Sequence, residues 1–387
     1  MEPRPARLPL PDPDALKRSE TLSERIRAEI AEHGGWIGFD RYMQRVLYEP
    51  GLGYYSGGGA KFGAAGDFVT APQLGDALAR ALAASLGPWL RSLPRPAILE
   101  LGAGDGRLAA QLLDALGRQG IGDVSYRILE VSGELRQRQE AALAGFADRV
   151  TWLDRLPGEP FDGVIVANEV ADALPVACFV KRGGAVPLGA RSTEGGFAWM
   201  EGPVDEHLAE AVLELEARLG EPLPELYRSE IRLVLPPWIR ALGSSLGRGA
   251  VLLVDYGYGR RDYYHPQRSA GTLMCHYRHR AHDDPFLYPG LQDITAWVDF
   301  SACADAASAA GFSVAGYTTQ AQFLIGALGP ELLEGGAASA SPQALSALKT
   351  LVLPGEMGER FKALLLTKDA DVILPGRDLR GRLGDYS

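Results

Sequence analysis

Apolar side chains recur at four-residue intervals from Leu22 through Ile26 to Ile30, and a similar face appears in Phe39, Tyr42, Met43, Val46 and Leu47. That spacing predicts two amphipathic helices, the first stopped by Gly34-Gly35 and the second by Pro50-Gly51. Residues 1–20 read as a flexible lead-in, and 21–95 as an N-terminal helical section. Within that section a glycine-rich loop, Gly51 to Gly66, runs into Asp67-Phe68-Val69-Thr70-Ala71-Pro72 and a third helix from Gly75 to Leu86. Its approach, from Tyr54 to Pro72, is expected to close as a lid with Asp67, Phe68 and Thr70 at its end, since ordering glycines is costly unless something binds against them.

From Ala97 the period changes. Short apolar runs at Ala97–Leu101, Val124–Leu129, Val150–Leu153 and Phe161–Ala167 alternate with helical patterns over Leu108–Leu116 and Gly133–Leu143. Strands and helices in alternation predict an α/β fold with a mostly parallel sheet and right-handed crossovers, occupying 96–387. Large insertions interrupt it at about 178–235, with a hairpin over Cys178–Met200 and a helix near Glu206–Arg218, and at about 258–289. The fifth strand is expected at Ala250–Val254. A helix over Asp293–Ala310, a strand at Phe312–Tyr317 and a last strand at Phe361–Thr367 complete the reading.

Charge and cysteine content narrow the function classes. Lys plus Arg is 39 against 49 Asp plus Glu, a net charge of −10 that argues against wrapping a nucleic-acid backbone but suits a cationic partner. Cys178, Cys275 and Cys303 form no CxxC pair, which disfavours a disulfide scaffold or a zinc ribbon and points to a reducing compartment. The first residues lack an apolar signal stretch, and Glu2, Asp12 and Asp14 disfavour a transit peptide, so a cytoplasmic location is expected. The uncharged stretch between Asp305 and Glu331 carries too many Ser, Thr and Gln residues for a membrane span. Tyr263, Tyr264, His265, His276, Tyr277, His279 and His282 crowd the second insertion, yet match no compact metal spacing; a lidding, substrate-contacting loop is expected there, and no metal.

Candidate chemistry concentrates at the predicted strand ends. Ile98-Leu99-Glu100-Leu101-Gly102-Ala103-Gly104-Asp105-Gly106 places bare backbone between a strand and a helix, where a ligand can lie against the turn beside the helix N-terminus. The spacing Gly-x-Gly-x-Gly differs from the Gly-x-Gly-x-x-Gly of a dinucleotide turn. Glu130 closes the second strand, where a carboxylate can accept both hydroxyls of a ribose. Asp154, after the third, would border an adenine. Asn168, Glu169 and Asp172 follow the fourth. A helical turn there would put both acids on one side, suited to orienting a guanidinium, while Asn168 caps the turn or meets the ligand. Asp255, with Tyr256 beside it, either joins substrate recognition at the same sheet edge or forms a turn.

The glycine turn with Glu100 resembles the first motif of class I S-adenosylmethionine-dependent methyltransferases. Taken with Gly66–Pro72, Asn168-Glu169, Asp172-Ala173-Leu174-Pro175, Val254-Asp255-Tyr256-Gly257-Tyr258, Gly271-Thr272-Leu273-Met274 and Tyr277-Arg278-His279-Arg280, the chain resembles the MidA-type family from Leu22 to about Lys368. The resemblance implies a Rossmann-like class I methyltransferase sheet with S-adenosyl-L-methionine as cofactor and no metal. It places the cofactor at Glu100, Gly102, Ala103, Gly104, Gly106, Glu130, Asp154 and Asn168. Glu169, Asp172 and Asn168 become the catalytic candidates; Asp67, Phe68, Thr70, Asp255 and Tyr256 become the substrate and lid candidates. The family's mitochondrial member is a complex I assembly factor that dimethylates a protein arginine, so an arginine-bearing protein is the expected substrate. A small-molecule methyltransferase and an assembly chaperone that only binds the cofactor are the competing readings. Gln73, Asp105 and Val170-Ala171 depart from the family's usual Glu, basic residue and aromatic pair.

Overall fold

The computed structural model describes residues 8–57, 70–331 and 342–384. Asp67 and Phe68, and most of the expected lid, lie outside the described residues. The chain divides into two units.

One unit gathers residues 8–57 with Ala173–Leu233 and Tyr264–Ala296. Its first helix, Pro13–Glu32, starts eight residues before Thr21, inside the stretch read as a flexible lead-in. Proline at the first helical position was the overlooked start signal: its fixed φ suits a helix, and the Asp12 side chain caps the turn by accepting from Ala15 N–H. Leu22, Ile26 and Ile30 of this helix and Phe39, Tyr42, Met43, Val46 and Leu47 of the next, Phe39–Tyr48, are buried in one apolar core with Val176, Cys178, Val180, Leu188 and Ala190. The expected hairpin is a three-stranded meander, Ala177–Arg182, Gly184–Thr193 and Gly196–Glu201, because Gly183 and the Glu194-Gly195 turn each reverse the chain. The histidine-rich insertion folds as a small antiparallel sheet of Met274–Tyr277, Arg280–His282 and Asp293–Thr295.

The other unit holds Thr70–Asp172, Val234–Tyr263 and the described residues from Trp297 onward. Its sheet is built from β1 (Ala97–Leu101), β2 (Ser125–Leu129), β3 (Val150–Leu153), β4 (Phe161–Asn168), β5 (Leu246–Tyr258), β6 (Ser313–Thr319) and β7 (Phe361–Lys368). Across the sheet the order is β3-β2-β1-β4-β5-β7-β6, and β7 alone in this row runs antiparallel to its neighbours. Every side chain of β1 is buried, as expected for a parallel strand covered on both faces. The helix Ala77–Ser92, expected in the N-terminal section, packs in this unit's core and carries Pro88 inside it rather than ending before it.

Two elements differ from expectation, the first of them at the site. β5 is 13 residues long and continues through Asp255 to Tyr258. The expected helix over Asp293–Ala310 is instead two short strands, Asp293–Thr295 and Val298–Asp299, followed by a helix over Phe300–Ala309. Branched Ile294, Thr295 and Val298 favour extended backbone, and Asp299 starts the helix by accepting from Ser301 and Ala302 N–H. Among the described residues no helix is long and apolar enough to cross a membrane.

Candidate cofactor and methyl-transfer site

Strand order reverses between β1 and β4, which leaves a crevice outside their carboxyl ends; ligands of open α/β sheets bind at such points. Glu100, Gly102, Ala103 and Gly104 come from the end of β1, Glu130 from the end of β2, and Asn168 and Glu169 from the end of β4. The register of parallel pairs puts all of them at one edge.

Gly102, Gly104 and Gly106 take φ of +60°, +57° and +82°, the left-handed region in which a side chain is strained. Gly102 and Gly106 do different jobs. A Cβ built on Gly102 would lie 3.1 Å from Cγ2 of Val170, so the glycine turn and the turn after β4 abut. Gly106 starts the helix Arg107–Arg118, and a Cβ on it would lie 3.1 Å from Cα of Gln139. Gly106, expected to face the cofactor, is therefore bare because the helix Gly133–Ala142 passes against it.

Glu100 is 2 % exposed, and its carboxylate accepts from Tyr126 Oη at 2.7 Å. The contact follows from register: Ile98 stands opposite Tyr126, and Glu100 is two residues along on the same face. Burial pushes the Glu100 carboxyl up to about 7; the Tyr126 hydrogen bond works the other way, and the charges of Asp105 and Glu130 add to the rise. A carboxyl raised on folding stabilises the fold below its unfolded value near 4.5, and that contribution is lost as pH rises through about 7. Glu100→Gln is therefore expected to melt higher than the wild type at pH 8, by a margin on the order of 1–3 kcal/mol that closes near pH 5. Equal melting temperatures at pH 8 would show that Glu100 carries no such burden.

Glu130 is 7 % exposed. Its Oε1 accepts from Ser132 N–H at 2.8 Å and its Oε2 from Gln139 Nε2 at 2.9 Å, so two fixed donors set the plane of the carboxylate. Asn168 Nδ2 donates to Glu169 Oε1 at 3.2 Å, whereas Oδ1 is buried and has no hydrogen-bond donor among the described residues.

After β4 the chain forms an irregular turn, not the expected helical one, and Asn168 lies in β4 rather than capping a helix. Glu169 has φ of +54°, uncommon for a residue with a side chain and often found where a site needs it. The turn is held from β5. Oδ2 of Asp255 accepts from the N–H groups of Val170, Ala171 and Asp172 at 3.2, 3.0 and 3.2 Å, and Oδ1 accepts from Tyr256 N–H at 2.9 Å. Asp255, only 1 % exposed, is thus a turn holder, the second of its two expected roles. Its long strand hides this role in sequence, because the turn it holds lies more than eighty residues earlier.

Asp154 follows β3 at the same sheet edge as Glu130, with its side chain 87 % exposed and Arg136 3.9 Å away. Tyr256 stacks edge-on against Phe361 of β7, ring centroids 5.4 Å apart. Thr70 opens the short helix Ala71–Leu74, where Gln73 Oε1 accepts from its N–H at 3.2 Å; Gln serves this cap as well as the family's usual Glu would. The residue that sequence reading missed is Gln139, wholly buried on an otherwise polar helix. Its one signal is the four-residue spacing from buried Leu135, which puts a polar side chain on the packed face.

The cluster fits a ligand with a cationic amino-acid end and a ribose. The turn offers bare backbone, Glu100 a carboxylate, Asn168 Oδ1 a buried acceptor, and Glu130 an oriented carboxylate at the neighbouring strand end. The family model described as "Putative S-adenosyl-L-methionine-dependent methyltransferase" matches residues 78–318. The chain is similar to the crystal structure of a "likely methyl transferase" from Burkholderia thailandensis bound to S-adenosyl-homocysteine, with TM-score 0.88 and 43% identity over 96% of this chain and 99% of that one. It is 28% identical to the mitochondrial protein arginine methyltransferase NDUFAF7 homolog of Drosophila melanogaster, over 92% of this chain and 88% of that one. The corresponding Danio rerio protein is also 28% identical, over 89% and 87%. A match over well more than half the chain, the class I order of its sheet and a glycine turn with two carboxylates at the switch point lead to one conclusion: the chain belongs to the MidA-type family of S-adenosyl-L-methionine-dependent methyltransferases.

Proposed function

We propose that this methyltransferase acts on an arginine nitrogen of a protein substrate. S-adenosyl-L-methionine supplies a methyl group on a sulfonium that is already a good leaving group, so the protein's task is alignment and electrostatics. Glu100, the glycine turn, Glu130 and Asn168 bind the cofactor. Glu169, with Asp172 in the same turn, orients the guanidinium and offsets its charge. The observation that carries this reading is the turn after β4: a carboxylate on strained backbone, held by Asp255, beside the glycine turn. Two relatives that span most of the chain are named as protein arginine methyltransferases, which supports the same substrate class.

Mass spectrometry of arginine methylation in cells with and without the protein tests the substrate class, and Glu169→Gln tests the site. Loss of a charge-assisted hydrogen bond costs about 1.5–3 kcal/mol, so turnover should fall roughly tenfold to a hundredfold while affinity for S-adenosyl-homocysteine holds. Asp172→Asn should act similarly, and the double variant should be less than additive. Wild-type turnover in both variants would take away the local chemical support for arginine and leave the names of the relatives as its only support.

A further inference from the structure

We propose that Gln139 is the positioning residue that makes the enzyme demand an intact ribose diol on its cofactor. The proposal rests on the assignment of Glu130 to that ribose.

Gln139 is wholly buried, and its amide is committed on every side. Nε2 donates to Glu130 Oε2 and to the Gly104 carbonyl, each at 2.9 Å, and Oε1 accepts from the Trp152 indole N–H at 2.9 Å. The orientation of the amide follows from its partners. An indole only donates, so it must face Oε1; a carboxylate and a carbonyl only accept, so they must face the amide nitrogen. No other side chain of this length has two donors and an acceptor in that arrangement. Glutamate lacks the donors, methionine lacks both, and lysine lacks the acceptor.

The network spans three elements of the site: the glycine turn after β1, the acid at the end of β2, and Trp152 in β3. The bare Gly106 makes room for it, as a Cβ there would press on Cα, Cβ and Cγ of Gln139 at 3.1–3.4 Å. With Ser132 N–H on the other oxygen, Gln139 fixes the direction in which Glu130 presents its remaining acceptor positions. A ribose diol meets a carboxylate well only if that plane is set in advance, because a buried hydrogen-bonding site rejects ligands that leave it unpaired.

The test is calorimetric titration of the full chain with S-adenosyl-homocysteine and with its 3′-deoxy analogue. Wild type should prefer the diol by roughly tenfold or more, the worth of one hydrogen bond to a charged group. Gln139→Met should weaken S-adenosyl-homocysteine by a similar roughly tenfold factor, barely change the analogue, and so bring the ratio towards one. Trp152 emission should shift as its indole loses an acceptor. Gln139→Glu keeps the length and the bond from Trp152 but sets a second carboxylate against Glu130; it should show the same collapse and covers the case in which the methionine variant does not fold. Equal weakening of both ligands, with the ratio kept, would mean that Gln139 only supports the fold and would overturn the proposal. So would unchanged affinity. A wild type that ignores the missing hydroxyl would overturn the Glu130 assignment and this proposal together, while leaving cofactor binding and arginine methylation standing.

Discussion

Gly104→Val is expected to yield a folded protein with no measurable affinity for S-adenosyl-homocysteine. Residue 104 has φ of +57°, so a branched side chain there costs on the order of 1–2 kcal/mol in backbone strain. That is small beside the roughly 5–15 kcal/mol that typically holds a domain together. Binding is hit harder, because the side chain projects from backbone against which the cofactor must lie, and its strain disturbs the carbonyl that Gln139 holds. Calorimetry beside a thermal melt separates the two effects. A folded variant that binds as the wild type does would remove the glycine turn from the cofactor site. Gly106→Ala offers the contrast: its Cβ presses on Gln139, so its loss of affinity should come with weakened discrimination of the ribose.

The second large effect is expected at Asp255. Asparagine keeps one carbonyl oxygen, which can still accept from Val170, Ala171 and Asp172, but it turns an amide nitrogen towards Tyr256 N–H, donor against donor. Asp255→Asn should therefore cost about 1–3 kcal/mol of stability for the lost charged acceptor and the unpaired buried donor. Its effect on turnover should exceed that of Glu169→Gln, because the strained backbone that aims Glu169 loses its anchor. Turnover should drop by roughly a hundredfold or more at saturating cofactor, each tenfold needing about 1.4 kcal/mol, with S-adenosyl-homocysteine affinity within a few fold of wild type. If stability falls and turnover does not, Asp255 holds the turn for the fold alone. If cofactor affinity collapses as well, the turn after β4 belongs to the cofactor site and not to the acceptor.

The strand–glycine–helix unit at Glu100–Gly106, the acid at Glu130 and the acids after the fourth strand are legible as a linear pattern, because each sits within a few residues of a strand end. Short apolar runs and four-residue spacing likewise announced most of the strands and helices. Less legible were elements set by caps rather than by periodicity: the helix starting at Pro13 behind Asp12, and the short strands before Asp299. Asp154 is a residue of the right type at a strand end, and the fold leaves its side chain in solvent.

By itself the sequence determined the fold class, the cofactor chemistry and the strand ends that carry the candidate residues, since local backbone requirements and hydrophobic period are written in consecutive residues. Only the tertiary structure decided what Gly106, Gln139 and Asp255 are for. The most distant partner of each is thirty-three, thirty-five and more than eighty residues away, and each role depends on distances that no spacing rule encodes. A glycine is bare for its neighbour's sake, a glutamine is buried because three partners satisfy its amide, and an aspartate is buried because four backbone donors converge on its carboxylate. Burial of a polar group is tolerated only where such partners converge, and convergence is a property of the packed chain.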